Sequence, residues 1–343
     1  MDTILLDPEK DEKAYEKAAS FLKSGEVVGM PTETVYGLAA NALDGEAVKK
    51  IFKAKGRPQD NPLIVHIADI KQLDKLVSFV PENAKKLMDK FWAGPLTIIL
   101  KKSELIPYEV SAGLDTVGVR FPSHKVAQRL IKECGLPLAA PSANLSGRPS
   151  TTTAMHVIED LNGKIPAVLQ GGACSVGVES TVISLAGEKP RLLRPGGISL
   201  EQLKEVLGEV EVDRAITEKI GDDVRVSAPG MKYRHYAPKA PVTVLCGEPA
   251  KTAEYIKQNA KNKAGILCFK EYADMFSSYV LRQIGSEKDL NEQAKSIFDA
   301  LRSFDETDVT EIWSQCPSDE GIGLAVANRL KKAAGFNVIN IKD

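Results

Sequence analysis

Short apolar runs alternate with helical stretches through almost the whole chain, and that alternation restricts it to α/β architecture built on strands joined by crossing helices. Residues 27–30, 63–67, 97–100, 116–120, 136–140 and 180–184 read as strands. Helices are expected over 46–54, 71–78, 82–91, 126–133 and 200–207. The pattern breaks once. From Glu209 to about Asp223 the sequence is acidic and irregular, and Pro229 and Pro238 then bracket a stretch that also carries Gly230. Proline fixes φ and removes a backbone donor, so this segment is expected to link two domains. Beyond it, strands are expected at 242–246, 265–269, 309–313 and 337–341. Leu290, Ala294, Ile297, Phe298, Leu301 and Phe304 form one stripe of a helix over 287–304, and a second helix covers 321–334 with Gly335 as its C-terminal cap. The reading is a first α/β domain over 1–207, a linker over 208–240 and a smaller Rossmann-like α/β domain over 241–343. A chain of 343 residues is also too long for one ordinary core. No internal repeat is evident.

Composition removes several functions. The formal net charge is −1, so the chain as a whole is no polycation holding nucleic acid by bulk charge. Between Lys49 and Arg148, however, 17 basic residues face 9 acidic ones, which suggests a local anion site or a solvated basic face. No apolar run approaches the ~18 residues that span a bilayer, and the first ten residues lack the basic flank of a secretion signal. Cys134, Cys174, Cys246, Cys268 and Cys316 are scattered and never form Cys-x-x-Cys, which argues against a disulfide framework or a structural zinc site. A reduced, cytoplasmic protein with no membrane partner is expected.

The chemistry is carried by polar clusters at strand ends. There is no phosphate-binding P-loop, no His-Glu-x-x-His metal pair, no Gly-x-Ser-x-Gly elbow and no Gly-x-Gly-x-x-Gly after the first strand of the second domain. Instead Lys55 and Arg57 flank Gly56 in a segment stiffened by Pro58 and Pro62. Lysine and arginine are the usual partners of phosphate oxygens, although cations at a helix C-terminus also complement its dipole. Ser142, Asn144, Ser146 and Ser150 follow the strand at 136–140, where ligands of open α/β sheets bind, but a capping turn could use the same residues. Thr32, Thr34, His66, Arg120, Ser180, Thr181 and Arg194 repeat the theme. Together they suit an anionic ligand carrying both phosphate and carboxylate.

Pro31-Thr-Glu-Thr-Val-Tyr-Gly-Leu38, Lys55-Gly-Arg-Pro58, Pro62-Leu-Ile-Val-His66, Pro141-Ser-Ala-Asn-Leu-Ser-Gly147, Glu179-Ser-Thr-Val-Ile183 and Leu193-Arg-Pro-Gly196 resemble the YrdC-type domain of threonylcarbamoyl-AMP synthases. The likeness continues through Ala228-Pro-Gly-Met-Lys-Tyr-Arg-His-Tyr-Ala-Pro238 and the second domain, as in the long two-domain form of that family. The resemblance implies a twisted, open α/β sheet and an enzyme that joins L-threonine, bicarbonate or carbon dioxide, and ATP into threonylcarbamoyl-adenylate, releasing pyrophosphate. A partner complex would then move the threonylcarbamoyl group to the adenosine beside a tRNA anticodon. It places Lys55 and Arg57 in catalysis. Arg57, Asn61, Thr116, Ser142, Asn144, Ser150, Arg194, Tyr233 and His235 would face ATP, and Thr34, His66, Arg120, Ala140 and Ser180 would hold threonine. Arg120 is the natural partner of the threonine carboxylate. Magnesium is expected to arrive with the triphosphate, and no protein-built metal site is expected.

No residue stands out as a general base, so positioning and charge stabilisation should carry the reaction. The linker, with three rings and two cations between Lys232 and Tyr236, is expected to fold back as a lid through Tyr233 or His235. An RNA-binding module using the basic stretch is a competing reading, weakened by the 6% aromatic content and the lack of a stacking platform. So is the hydrogenase-maturation carbamoyl-transfer branch of the superfamily, whose zinc-binding cysteine pairs are absent here.

Overall fold

The computed structural model describes residues 2–218 and 235–341. The first domain is built on one eleven-stranded mixed sheet. Its strands are β1 (Ile4–Leu6), β2 (Val28–Met30), β3 (Gly37–Asn41), β4 (Ile64–His66), β5 (Leu96–Lys101), β6 (Thr116–Arg120), β7 (Leu138–Ala139), β8 (Ala167–Leu169), β9 (Thr181–Ser184), β10 (Arg191–Arg194) and β11 (Glu211–Val212). They lie in the order β1-β8-β2-β3-β7-β4-β6-β5-β9-β10-β11.

Alternation along the strands assigns the two faces. Leu38 and Ala40 join one apolar cluster and Ala39 the other; Val168 likewise opposes Ala167 and Leu169. One face is covered by the helices Ala14–Lys23 and Lys125–Cys134, the other by Gly45–Lys55, Glu82–Phe91, Ala154–Leu161 and Leu200–Leu207. The sheet reaches further than the sequence suggested. β10 pairs in parallel with β11, so Glu211 and Val212 belong to the first domain's sheet although they fall in the stretch read as linker.

The second domain carries five parallel strands: β12 (Val242–Cys246), β13 (Ala264–Phe269), β14 (Val280–Gly285), β15 (Glu311–Gln315) and β16 (Val338–Asn340). Their order, β14-β13-β15-β12-β16, exchanges the first and fourth strands relative to the common 3-2-1-4-5 arrangement. The domains share a core. Val35 and Val178 of the first pack with Phe298 and Ala294 of the helix Leu290–Ser303. That helix approaches so closely that a Cβ on Gly177 would sit 2.3 Å from the carbonyl oxygen of Ala294. Buried ion pairs cross the same boundary: Arg302 to Asp160 at 2.8 Å and Arg329 to Glu179 at 2.8 Å.

Candidate active site

The helix Gly45–Lys55 opens with Asp44 accepting from the amides of Glu46 and Ala47, and ends at Gly56, whose φ of 62° is the left-handed conformation glycine adopts freely. That stop turns Lys55 inward and leaves it 3% exposed. Its ammonium donates to the carbonyls of Ser142 and Asn144, at 2.5 Å each. The amide of Ser146 returns a bond to the Lys55 carbonyl at 2.9 Å. The two polar clusters found in the sequence are therefore one structure. Burial, and then the neighbouring Arg57, push the Lys55 ammonium well below the usual lysine range, while Asp160 and Glu179 act against that shift. Arg57 is held at the rim by the carbonyls of Asn61 and Pro62, at 3.4 Å each. The Asn144 amide nitrogen donates to the carbonyls of Leu145 and Arg148, and its buried oxygen has no hydrogen bond among the described residues.

A second compartment adjoins this one. Parallel pairing of β4 with β6 sets His66 beside Arg120 at their carboxyl ends. Arg120 is held from three sides: Nη2 lies 2.6 Å from the Glu33 carboxylate, Nη1 donates to Thr34 Oγ1 at 2.9 Å, and Nε donates to the Gly94 carbonyl at 3.3 Å. Burial first, then the Arg120 charge, push His66 down to about 3, so its imidazole is neutral. On Glu33 burial pushes upward, but the Arg120 guanidinium outweighs it and keeps the carboxyl ionised below its ordinary range. Arg194, at the end of β10, donates through Nε and Nη2 to the Ser180 carbonyl at 3.1 and 3.0 Å, and Nη2 reaches the Ser180 hydroxyl at 3.1 Å. Burial lowers the Arg194 guanidinium to about 10.

Most of these groups line one cleft. It brings together eleven of the fifteen residues expected to serve catalysis, ATP or threonine: Thr34, Lys55, Arg57, His66, Arg120, Ala140, Ser142, Asn144, Ser180, Arg194 and His235. Three others stand off it. Thr116 lines a small neighbouring cleft with Pro62, Ile64 and Leu114, and Ile64 is common to both. Asn61 is buried behind Arg57. Ser150 sits one layer back and donates to Glu179 Oε1 at 2.5 Å. Tyr233 lies outside the described residues. The linker returns over the cleft at His235 and Tyr236, fixed by a bond from the Ala237 amide to the Gly147 carbonyl at 2.8 Å.

Sequence reading missed the carboxylates. Glu33 and Glu179 both stand inside quoted motifs, but an acidic residue in an anion site reads as repulsion until its cation is found. For Glu179 that cation is Arg329, 150 residues away in the second domain. Its only signal is an arginine on the apolar side of an amphipathic helix.

Comparison with known proteins agrees with this geometry. The Sua5/YciO/YrdC family model, described as "Telomere recombination", matches residues 20–196, and the model for the C-terminal domain of threonylcarbamoyl-AMP synthase matches residues 198–335. Threonylcarbamoyl-AMP synthase of Bacillus subtilis is 49% identical over 326 residues, covering 94% of this chain and 93% of the relative. The Pyrococcus abyssi enzyme of the same name is 47% identical over 330 residues, covering 94% and 95%. The crystal structure of P. abyssi Sua5 complexed with L-threonine superposes with a TM-score of 0.90 at 44% identity over 100% of both chains. The chain belongs, over both of its domains, to the threonylcarbamoyl-AMP synthase family.

Proposed function

We propose that this protein is an L-threonylcarbamoyladenylate synthase, consuming L-threonine, bicarbonate or carbon dioxide, and ATP, and releasing threonylcarbamoyl-AMP and pyrophosphate. The observation that carries the reading is that a single cleft holds two differently lined compartments. One presents the basic groups Lys55 and Arg57; the other is a buried pocket of Thr34, neutral His66, Arg120 and Ser180, with Arg194 bonded to Ser180. The first suits a triphosphate, and the second suits a small amino acid.

In the reaction the threonine amine attacks carbon dioxide, or bicarbonate with loss of water, and gives a carbamate. A carbamate oxygen then attacks the α-phosphorus of ATP, and pyrophosphate leaves. Lys55 and Arg57 stand where negative charge grows on phosphate oxygens, and the rigid turn tied to Lys55 keeps Ser142 and Asn144 in place. The Asn144 oxygen, without a hydrogen bond among the described residues, offers an acceptor on the same wall. Because Arg120 already serves Glu33, a threonine carboxylate must share its guanidinium with that residue. Thr116 and the apolar cleft around Ile64 suit the uncharged end of the nucleotide, with Asn61 and Ser150 supporting its walls from behind.

Magnesium fits as part of the substrate. Among the described residues no cluster of three metal-ligating side chains exists, and the carboxylates of the cleft are committed to Arg120 and Arg329. Bound to phosphate oxygens, the ion would neutralise charge on the departing pyrophosphate. His235, with Tyr233 upstream, would close over the labile mixed anhydride and exclude water. The product would pass to a complex that transfers threonylcarbamoyl to tRNA, and the basic stretch would supply any direct contact with that RNA. No helix among the described residues is long and apolar enough to cross a membrane, and the five cysteines are free, which supports a reduced, cytoplasmic setting.

The test is pyrophosphate release that requires threonine, bicarbonate and ATP together. Release from ATP without threonine would refute the assignment. Trypsin cleavage at Lys232 or Arg234 should slow when ATP and threonine are both present; equal cleavage with and without them would reduce the linker to a tether.

A further inference from the structure

We infer that Arg329 of the second domain is a positioning residue of the active site, acting through Glu179 on the nucleotide side of the cleft. The inference rests on the function proposed above. Arg329 lies on the helix Gly323–Ala333 and is 0% exposed. Burying a guanidinium completely is costly unless its partners are well arranged. Besides Asn328 on its own helix, its partners belong to the cleft wall or adjoin it. Nε donates to Glu179 Oε2 at 2.8 Å, and Nη1 donates to the Pro195 carbonyl at 2.8 Å, directly after Arg194. The guanidinium also stands 5.7 Å from the ring centroid of Tyr236, the residue that brings the linker back over the cleft. One side chain thus ties the strand lead-in at 179–180, the turn at 194–196 and the returning linker.

Glu179 transmits the effect. It lines the cleft, and its second oxygen accepts from Ser150 at 2.5 Å, so Arg329 and Ser150 fix the carboxylate plane between them. The groups facing it are basic: Arg329 from the second domain's helix, Arg194 from β10, Lys332 from the same helix as Arg329, whose ammonium burial pushes down to about 7, and Lys55 across the cleft, also lowered by burial, with the Tyr236 ring beside them. Glu179 is the buried counter-ion of that set. Burial alone would raise its carboxyl, but Arg329 first and then Arg194 hold it below the ordinary glutamate range. Removing Arg329 takes away the directional partner and leaves the carboxylate free to rotate onto Arg194 or Lys55, the groups a triphosphate needs.

The experiment uses the full-length chain and follows threonine-dependent pyrophosphate release from pH 5.5 to 9 in the wild type, R329M, R329K, E179Q, R302M and E179Q/R329M. R329M should lower kcat on the order of 10- to 100-fold, the usual cost of losing an outer partner of a site ligand. Its activity should also fail at a higher pH on the acid side than the wild type, as Glu179 gains a proton. R329K should bring that acid limb back. E179Q/R329M should lose much less than the product of the two single losses. R302M breaks the other buried ion pair across the domain boundary and should leave the acid limb unmoved. Wild-type kcat and acid limb in R329M overturn the inference, as does an equal limb shift in R302M, which would mean domain docking alone. Should R329M fail to fold, R329K decides: its amine cannot span Glu179 and Pro195 together, so a kcat equal to the wild type's overturns the inference and a lowered one supports it. A wild type lacking threonine dependence refutes the proposed function instead, and the two failures are distinguishable.

Discussion

Replacing His66 with glutamine should make the protein markedly more resistant to acid. His66 is 3% exposed, and burial together with the Arg120 charge pushes its imidazole from 6.5 down to about 3, with Glu33 acting only partly against them. The unfolded chain therefore takes up a proton near the ordinary histidine value, whereas the folded chain refuses it until far lower pH. Stability is complete above the unfolded value and is lost as pH falls through the window between the two. At ~1.36 kcal/mol per pH unit the whole window is worth about 5 kcal/mol, of which about 2 kcal/mol is already lost at pH 5. The assay is urea unfolding of wild type and His66→Gln at pH 7.5 and pH 5.0. Whatever hydrogen bonding glutamine fails to reproduce affects both pH values alike and cancels in the difference. The wild type should lose about 2 kcal/mol more than the variant between the two conditions. Equal losses would refute the reasoning and mean that the imidazole is charged in the fold. The same neutrality predicts that His66 contributes no limb near pH 6.5 to the rate profile.

Lys55→Met should cut adenylate synthesis on the order of 100-fold or more while the chain stays folded. It should also speed hydrogen exchange in the turn at 142–146, because two buried carbonyls lose their donor; normal turnover would leave Lys55 a purely structural tether. Gly196→Ala should destabilise by about 3 kcal/mol in chemical denaturation, since a Cβ there would sit 2.2 Å from the Thr181 amide nitrogen and 2.4 Å from the Glu179 carbonyl oxygen, both backbone atoms. An unchanged midpoint would contradict that packing. Arg120→Ala alone should destabilise by about 3–5 kcal/mol by stranding Glu33, so threonine affinity is best read in Arg120→Ala/Glu33→Gln. Calorimetry on that double variant should show weakened threonine binding with ATP binding retained, and the reverse pattern would move the carboxylate elsewhere.

What was legible in the sequence was local. β5, β6 and the helices Glu82–Phe91 and Leu200–Leu207 carry clear periodicity, and the sequence predicts them to within a residue or two. β3, Gly-Leu-Ala-Ala-Asn, has no β-branched residue and escaped notice because its burial, not its propensity, makes it a strand. The helix Ala14–Lys23 buries Ala14, Ala18 and Ala19, a stripe too weakly apolar to stand out. In the site, Lys55, Arg57, Ser142 and Asn144 could be picked out because each pair sits within a few residues. Their union through the Lys55 ammonium could not, since that contact spans 87 and 89 positions. Glu179 and Arg329 are harder still. Each violates the local expectation for its setting, and only the fold supplies the partner that resolves both.

The pairing of β1 with β8, which sets Ile4 against Ala167, has a consequence for synthesis. On a ribosome adding ~5–20 residues per second, the first strand emerges roughly 8–30 seconds before the strand it must join. During that interval Ile4, Leu5 and Leu6 have no ladder to complete. β1 thus waits for a strand made about halfway along the chain. For that period its exposed apolar edge is a target for chaperones and for neighbouring nascent chains.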